Sequence, residues 1–379
     1  MNRLQGFISR HKNTDFRTRI PTTMHTILKH NRGIALLIVL AVITLLITAA
    51  LELNRRARSS VTATMVLRDQ ITLTQMASSG IQVAMDILIR DKNESETDSV
   101  QEDWADPEKM ADFLSVLSFD DGSVTVTIQD ELAKIQINAL VKFPGGKDFN
   151  EPQRLLWARL LHIMIDQDTE SMEDVEPVGI INSVKDWLDS NDNDAITGLT
   201  GAESDYYEGL DQPYPCKNGP FGHLDELARV KGITPEFLNG LGGIQGLARY
   251  ITVYGATDAG NNKFTYDGKI NINTAELPVI AALLPEGNEE FAMAIYEYRQ
   301  EKSDDKFVNP LNKNWYMNCP GCRDSGIKKE LITTASDIFR IRASATLHGV
   351  KTVVSAVVRR EKEKKSGRYQ CKILSWQTL

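Results

Sequence analysis

Gly33-Ile34-Ala35-Leu36-Leu37-Ile38-Val39-Leu40-Ala41-Val42-Ile43-Thr44-Leu45-Leu46-Ile47-Thr48-Ala49-Ala50 decides how the rest of this chain is read. The 18 uncharged residues from Ile34 to Leu51 make about 27 Å of helix at roughly 1.5 Å per residue, enough to cross a bilayer. Lys29, His30 and Arg32 stand just before the glycine. Three readings are open. A secretory signal peptide has an apolar centre of about 7–15 residues and a small-residue cleavage site. Here the apolar part is longer, and Thr48-Ala49-Ala50 runs straight on into Leu51-Glu52-Leu53. A plain membrane anchor is the second reading. The third, which we favour, is a leader cut after Gly33 that leaves Ile34 as the new N-terminus.

Charge sets the orientation. Arg3, Arg10, Lys12, Arg17, Arg19, Lys29 and Arg32 precede the apolar run, against the single acid Asp15. Arg55, Arg56 and Arg58 follow it, with Glu52. The excess of cations on the N-terminal side predicts a cytoplasmic N-terminus and a body across the membrane. Met24 is an alternative start, leaving the short leader Met24–Gly33.

The chain has 379 residues and a net charge of −8, room for two or three cores. Removing residues 1–33, which carry +6, leaves about −14 (−8 − 6), as the charge bookkeeping requires. An acidic exported body argues against nucleic acid and anionic lipid as partners. Four cysteines suit an oxidising compartment. Cys319-Pro-Gly-Cys322 is a C-x-x-C pair, open to a structural disulfide, zinc or redox chemistry, with the disulfide preferred. Cys216 and Cys371 lie far off, so three pairings stay open.

Beyond the apolar run, Met65, Ile71, Met76, Ile81, Met85 and Leu88 recur near helical spacing. One helix is expected from 34 to about 90. Ser123–Ile128 alternates like a strand and is expected to pair with Leu132–Ile137 as a hairpin. Helices are then expected at Gln153–Ile165, Ile180–Leu188, Leu224–Val230, Pro235–Leu241, Gly246–Ile251, Ala275–Leu284 and Glu289–Arg299. Ser336–Leu347, Thr352–Arg359 and Gln370–Trp376 read as three closing strands. The order predicts an α+β fold: a long N-terminal helix, an antiparallel sheet, and a large all-α insertion between the strand sets. The expected parts are a leader at 1–33, a membrane-spanning stretch at 34–54, helix and first strands at 55–145, the insertion at 146–315, and closing strands at 316–379.

Six motifs in order carry a resemblance. They are Arg32-Gly33-Ile34; Asp130–Leu140 with its Ile137-Asn138-Ala139-Leu140 ending; Val184-Lys185-Asp186-Trp187-Leu188-Asp189; Gly201-Ala202-Glu203-Ser204-Asp205-Tyr206-Tyr207; Asn218-Gly219-Pro220-Phe221 with Leu224–Leu227 and Val230-Lys231-Gly232; and Lys269–Ala275. Together they resemble the minor pseudopilin K of the type II secretion system, the general secretion pathway protein K family. The resemblance implies a pilin-like helix and sheet, and cleavage between Gly33 and Ile34 by a prepilin peptidase, with methylation. It also implies anchoring in the inner membrane with a periplasmic body, and other minor pseudopilins as partners. Most pilins carry glutamate at the fifth mature position; here that position is Ile38. The resemblance therefore implies a non-enzymatic subunit that caps the pseudopilus tip and supports protein secretion.

The stretch from Asp186 to Asp211 is dense in carboxylates, which repel one another unless solvated or bridged. Hard oxygen donors at flexible spacing suit Ca²⁺, and the resemblance implies calcium in the helical part. Asp189, Asp192, Asp194, Glu203 and Asp205 are the expected ligands. The spacing is not that of an EF-hand. Leu224–Leu241 and Ile270–Arg299 resemble helix-hairpin-helix units (SAM-like), which elsewhere grip phosphate with backbone amides. The rival function is therefore a membrane-anchored envelope protein binding DNA. The second hairpin carries Glu286, Glu289 and Glu290 where phosphate would sit, so no nucleic acid is expected. The six histidines form no metal pair, and His162 is expected to pack against its neighbours; nothing in the sequence supports catalysis.

Overall fold

A computed structural model describes residues 31–119, 121–167, 176–190, 196–241 and 243–379. The chain divides into two compact units, ending and beginning at Arg68 and Asp69. Helix α1 spans Asn31–Glu94. In the first unit its apolar side chains from Ile34 to Leu53 are exposed, and this helix is long and apolar enough to cross a membrane. The threonines and serines do not break it. Thr62 and Thr64 donate to the carbonyls of Arg58 and Ser60, at 3.0 and 2.9 Å, so each hydroxyl is satisfied within its own turn.

In the second unit Leu73, Met76, Ala77, Ile81, Ala84, Ile87 and Leu88 of α1 are buried at helical spacing. They face a four-stranded antiparallel sheet ordered β1-β10-β11-β12, where β1 is Ser123–Asp130, β10 Ile338–Leu347, β11 Val350–Lys362 and β12 Tyr369–Thr378. In β1 and β10 the inward residues Val126, Ile128, Phe339, Ile341 and Ala343 alternate with outward polar ones, as a sheet covered on one face requires; β11 adds Val354, Ala356 and Val358, and its Val357 is buried as well. Helix α2 (Pro107–Leu114) adds Met110 and Leu114 to this core. Asp106 caps it, accepting from the Glu108 amide at 2.9 Å. Trp104 meets Phe339 edge-on at 5.3 Å.

The expected hairpin of Ser123–Ile128 with Leu132–Ile137 is not formed. β1 pairs instead with β10, Val126 opposite Ala343. The Asp130 carboxylate takes the Leu132 amide at 2.7 Å and starts a 3₁₀ turn over Glu131–Ala133, which turns the chain off the sheet. β2 (Ile135–Gln136) then runs parallel to β3 (Ile251–Thr252). Residues 131–337 thus lie between two strands that are neighbours in one sheet.

This long excursion builds the second core, drawn from Ile135 to Leu331 and so reaching past 146–315 at both ends. Its helices are α3 (Glu151–Gln167), α4 (Pro177–Leu188), α5 (Ser204–Glu208), α6 (Pro235–Asn239), α7 (Leu277–Leu283) and α8 (Phe291–Tyr298). Leu224–Arg229 and Leu247–Arg249 are 3₁₀ turns rather than α-helices. The excursion is also not all-α. It holds the hairpin of β4 (Ala256–Gly260) and β5 (Lys263–Tyr266), the parallel pair β6 (Ile270–Asn271) with β9 (Ile332–Thr333), and the short pair β7 (Lys302–Ser303) with β8 (Lys306–Phe307). Runs this short carry no period that distinguishes strand from loop. The expected class holds: mixed helix and sheet with a long apolar N-terminal helix and an antiparallel sheet.

Candidate functional site

The carboxylate-rich stretch folds around the end of α4. Asp186 and Asp189 lie on one side of its last turn, three residues apart, and Glu203 arrives just before α5. All three are buried, and their oxygens lie within 4.8 Å of one another. Asp186 also orders the returning chain, accepting from the Thr197 amide at 3.0 Å and the Ala202 amide at 2.9 Å. Gly201 is the residue that lets the chain pass this close: a Cβ there would stand 2.1 Å from Asp186 Oδ2. Trp187 and Tyr207 wall the site, edge-on at 5.2 Å, and Phe221 stacks on Trp187 at 6.2 Å.

Lys185 places a cation beside the group, 2.8 Å from Asp189 Oδ2 and 3.9 Å from Asp186 Oδ1. Three carboxylates packed together in a buried place repel one another, which is costly unless their charge is neutralised. Burial pushes the Asp186 carboxyl above its ordinary range. Hard, crowded, buried carboxylate oxygens fit a divalent cation of the calcium type. Of the expected ligands, Asp189 and Glu203 come together, whereas Asp205 is exposed outside the three-carboxylate group. Asp192 and Asp194 lie outside the described residues. Asp186 was missing from the expected set, although its i, i+3 relation to Asp189 at a helix end marks it.

The other sequence-marked residues fall as follows. Gly33, Ile34 and Ile38 are exposed on α1, and a Cβ at Gly33 would touch nothing within 4 Å. Cys319 and Cys322 are both buried and joined as a disulfide with Cα atoms 5.3 Å apart. His162 is exposed, so the expectation that it packs is corrected: it lies on the polar side of α3. At the second hairpin the Gly287 amide donates to Glu289, at 2.9 Å, so the carboxylate occupies the donor a phosphate would need.

Sequence reading missed a second polar centre that joins excursion to sheet. Arg360 is buried on β11 and donates to Asp98, to Asp91 at 2.9 Å, and to the carbonyls of Leu88 and Ser336. Asn271 bridges the Asp98 carbonyl (3.0 Å) and Asp130 (2.7 Å), and Asn273 accepts from Trp315 at 2.6 Å. Asn138 likewise clasps Phe221, accepting its amide at 2.7 Å and donating to its carbonyl at 3.1 Å. The asparagines of the Ile-Asn-Ala-Leu and Ile-Asn-Ile-Asn motifs are thus buried pins between chain segments.

Residues 133–256 match the family model described as type II secretion system (T2SS), protein K. Over residues 133–256 the chain is thus similar to the protein K domain of type II secretion. The resemblance drawn from its motifs is borne out. It is 25% identical over 205 residues to type II secretion system protein K of Aeromonas hydrophila, covering 53% of this chain and 59% of the relative. It is also 25% identical over 213 residues to type II secretion system protein K of Pectobacterium carotovorum subsp. carotovorum, covering 54% and 59%. The chain therefore spans about six-tenths of the length of these relatives. Its fold is similar to that of a chain in the crystal structure of the GspK-GspI-GspJ complex from the enterotoxigenic Escherichia coli type 2 secretion system. There the TM-score is 0.56 at 16% identity, with 83% of this chain and 99% of that chain covered. At that identity the likeness speaks for the fold.

Proposed function

We propose that this protein is a non-enzymatic minor pseudopilin of a type II secretion system. In this reading it caps the tip of the pseudopilus and supports export of folded proteins across the outer membrane. The observation that carries the reading is the insertion of residues 131–337 between β1 and β10, on a chain whose fifth residue after Gly33 is Ile38 rather than an acid. A subunit without that carboxylate cannot neutralise the N-terminal amine of a neighbour, so it has no electrostatic reason to dock beneath one. A bulky excursion on the sheet blocks addition above it. The partners are the counterparts of the GspI and GspJ chains found with GspK in the enterotoxigenic Escherichia coli complex.

The N-terminus is cytoplasmic, α1 crosses the inner membrane over residues 34–54, and the body is periplasmic, as the cation excess before Ile34 favours. A prepilin peptidase cuts after Gly33. N-terminal sequencing of the membrane-bound form tests this: a start at Ile34 supports it, and a start near Ala50 removes its premise.

Calcium belongs to the same reading. Asp186, Asp189 and Glu203 would hold the ion, and a Ca²⁺ takes about 6–8 oxygens, so water or further oxygens complete its shell. Its role is structural, tying the end of α4 to the chain entering α5.

A further inference from the structure

A cavity of about 520 Å³ opens between β1 and β10 on one side and the excursion on the other. Sites that hold small ligands run roughly 300–1,000 Å³. Part of its wall is apolar, from Trp104, Ala133, Ala248 and Val279. Four cations line the rest: Lys134, Arg249, Arg340 and Arg342.

Three of the four are already engaged. Lys134, at 3.1 Å, and Arg340 pair with the buried Glu131, and Arg249 pairs with Glu276 at 2.6 Å. Asp130, also on the wall, is wrapped by Asn271, Thr274 and Ser336. Arg342 is different. It is exposed opposite Thr127, and its side chain makes no hydrogen bond or ion pair with any described residue. Four cations against Asp130, Glu131 and Glu276 leave the cavity one positive charge in surplus, on a chain whose net charge is −8.

A carboxylate on one solvated guanidinium gains only about 0–1 kcal/mol, too little to hold a small free acid. The apolar wall supplies what the charge lacks, provided that an apolar group arrives on the same ligand. In an extended segment, residues i and i+2 point to the same side. We propose that this cavity docks an extended acidic segment of a partner protein, its carboxylate on Arg342 and an apolar side chain two residues away against the Trp104–Val279 wall. The proposal is separate from tip capping: it concerns peptide recognition and is read without any pilus.

The test uses the full chain in detergent and a fluorescein-labelled hexapeptide in which glutamate and leucine alternate with serine, followed by polarisation. The glutamate peptide binds, and its glutamine counterpart binds up to about five-fold more weakly. Arg342→Ala lowers affinity by a similar factor, up to about five, without moving Tm, since the side chain is exposed. Arg342→Lys retains part of the affinity, and Arg368→Ala, exposed on the β11–β12 turn, leaves it unchanged. Failure to bind at millimolar peptide, equal binding of the two peptides, or wild-type affinity in Arg342→Ala overturns the proposal. So does competition by citrate as effective as that of the peptide, which would make this a small-acid site.

Discussion

Arg360 reaches from β11 to Asp91 near the end of α1, its Nη1 2.9 Å from Asp91 Oδ2. The same guanidinium takes Asp98, so one side chain joins helix, linker and sheet. Asp91, Asp98 and Glu102 present oxygens within 4.8 Å of one another around it. Burial raises Asp91 to about 6 and Glu102 to about 7, and it raises Asp130 to about 6. A raised carboxyl pKa means that the folded state prefers the proton. These groups contribute stability that is complete below the ordinary carboxylate range and lost as pH rises through 6 and 7. Thermal melts should therefore show Tm falling as pH goes from about 5 to about 8. Glu102→Gln, which mimics the protonated acid, should flatten that slope. A Tm that climbs across the interval would contradict this.

Removing the guanidinium should cost far more than removing its sequence neighbour. Arg360→Met takes the hydrogen-bonded cation from the buried Asp98 and leaves only Lys92 among the described residues, 3.9 Å away, a loss of about 3–5 kcal/mol. Arg359, whose Nε is 3.6 Å from the exposed Asp337, should cost less than about 1 kcal/mol when changed to alanine. Denaturant midpoints of the two variants measure the difference.

Gly80 sets how closely α1 lies on the sheet. A Cβ there would stand 2.8 Å from Val124 Cγ1 and 2.9 Å from Val126 Cγ2. In an exposed helix Gly→Ala stabilises by about 1 kcal/mol; here Gly80→Ala should instead destabilise by about 1–3 kcal/mol through overpacking. A stabilised variant would mean that the helix and sheet separate freely.

Calcium should raise Tm of the full chain in detergent above its value in chelator, with magnesium much less effective. At free calcium near 100 times Kd, linkage gives about 2.7 kcal/mol. Asp186→Asn and Glu203→Gln should remove that gain, whereas Asp205→Asn, on an exposed side chain, should keep it. Equal melting with calcium and chelator would return the loop to a plain buried acid cluster.

The long helix and the sheet were legible because their periods run long enough to be unambiguous: α1 repeats its apolar face over many turns, and β10 alternates from Phe339 to Leu347. What misled was locality. Leu132–Ile137 stands next to β1 in sequence, yet the strand that pairs with β1 comes some 200 residues later, and no pattern within either segment announces a non-local partner. The same holds for Arg360 and Asp98, a pair made by the closing of the fold. At the carboxylate site the acids were visible as a density of charge. Their sorting into buried Asp186, Asp189 and Glu203 and exposed Asp205 depends on how α4 and α5 meet, which spacing along a loop does not encode.

Mixing this protein with the I and J minor pseudopilins of its own secretion system, and measuring mass by light scattering during gel filtration, tests whether it is a tip subunit. One complex containing a single copy of each chain is expected, retained when Ile38 is changed to Glu, because that substitution alters fibre entry rather than the folded body. Separate elution of this protein from both at micromolar concentration would contradict it.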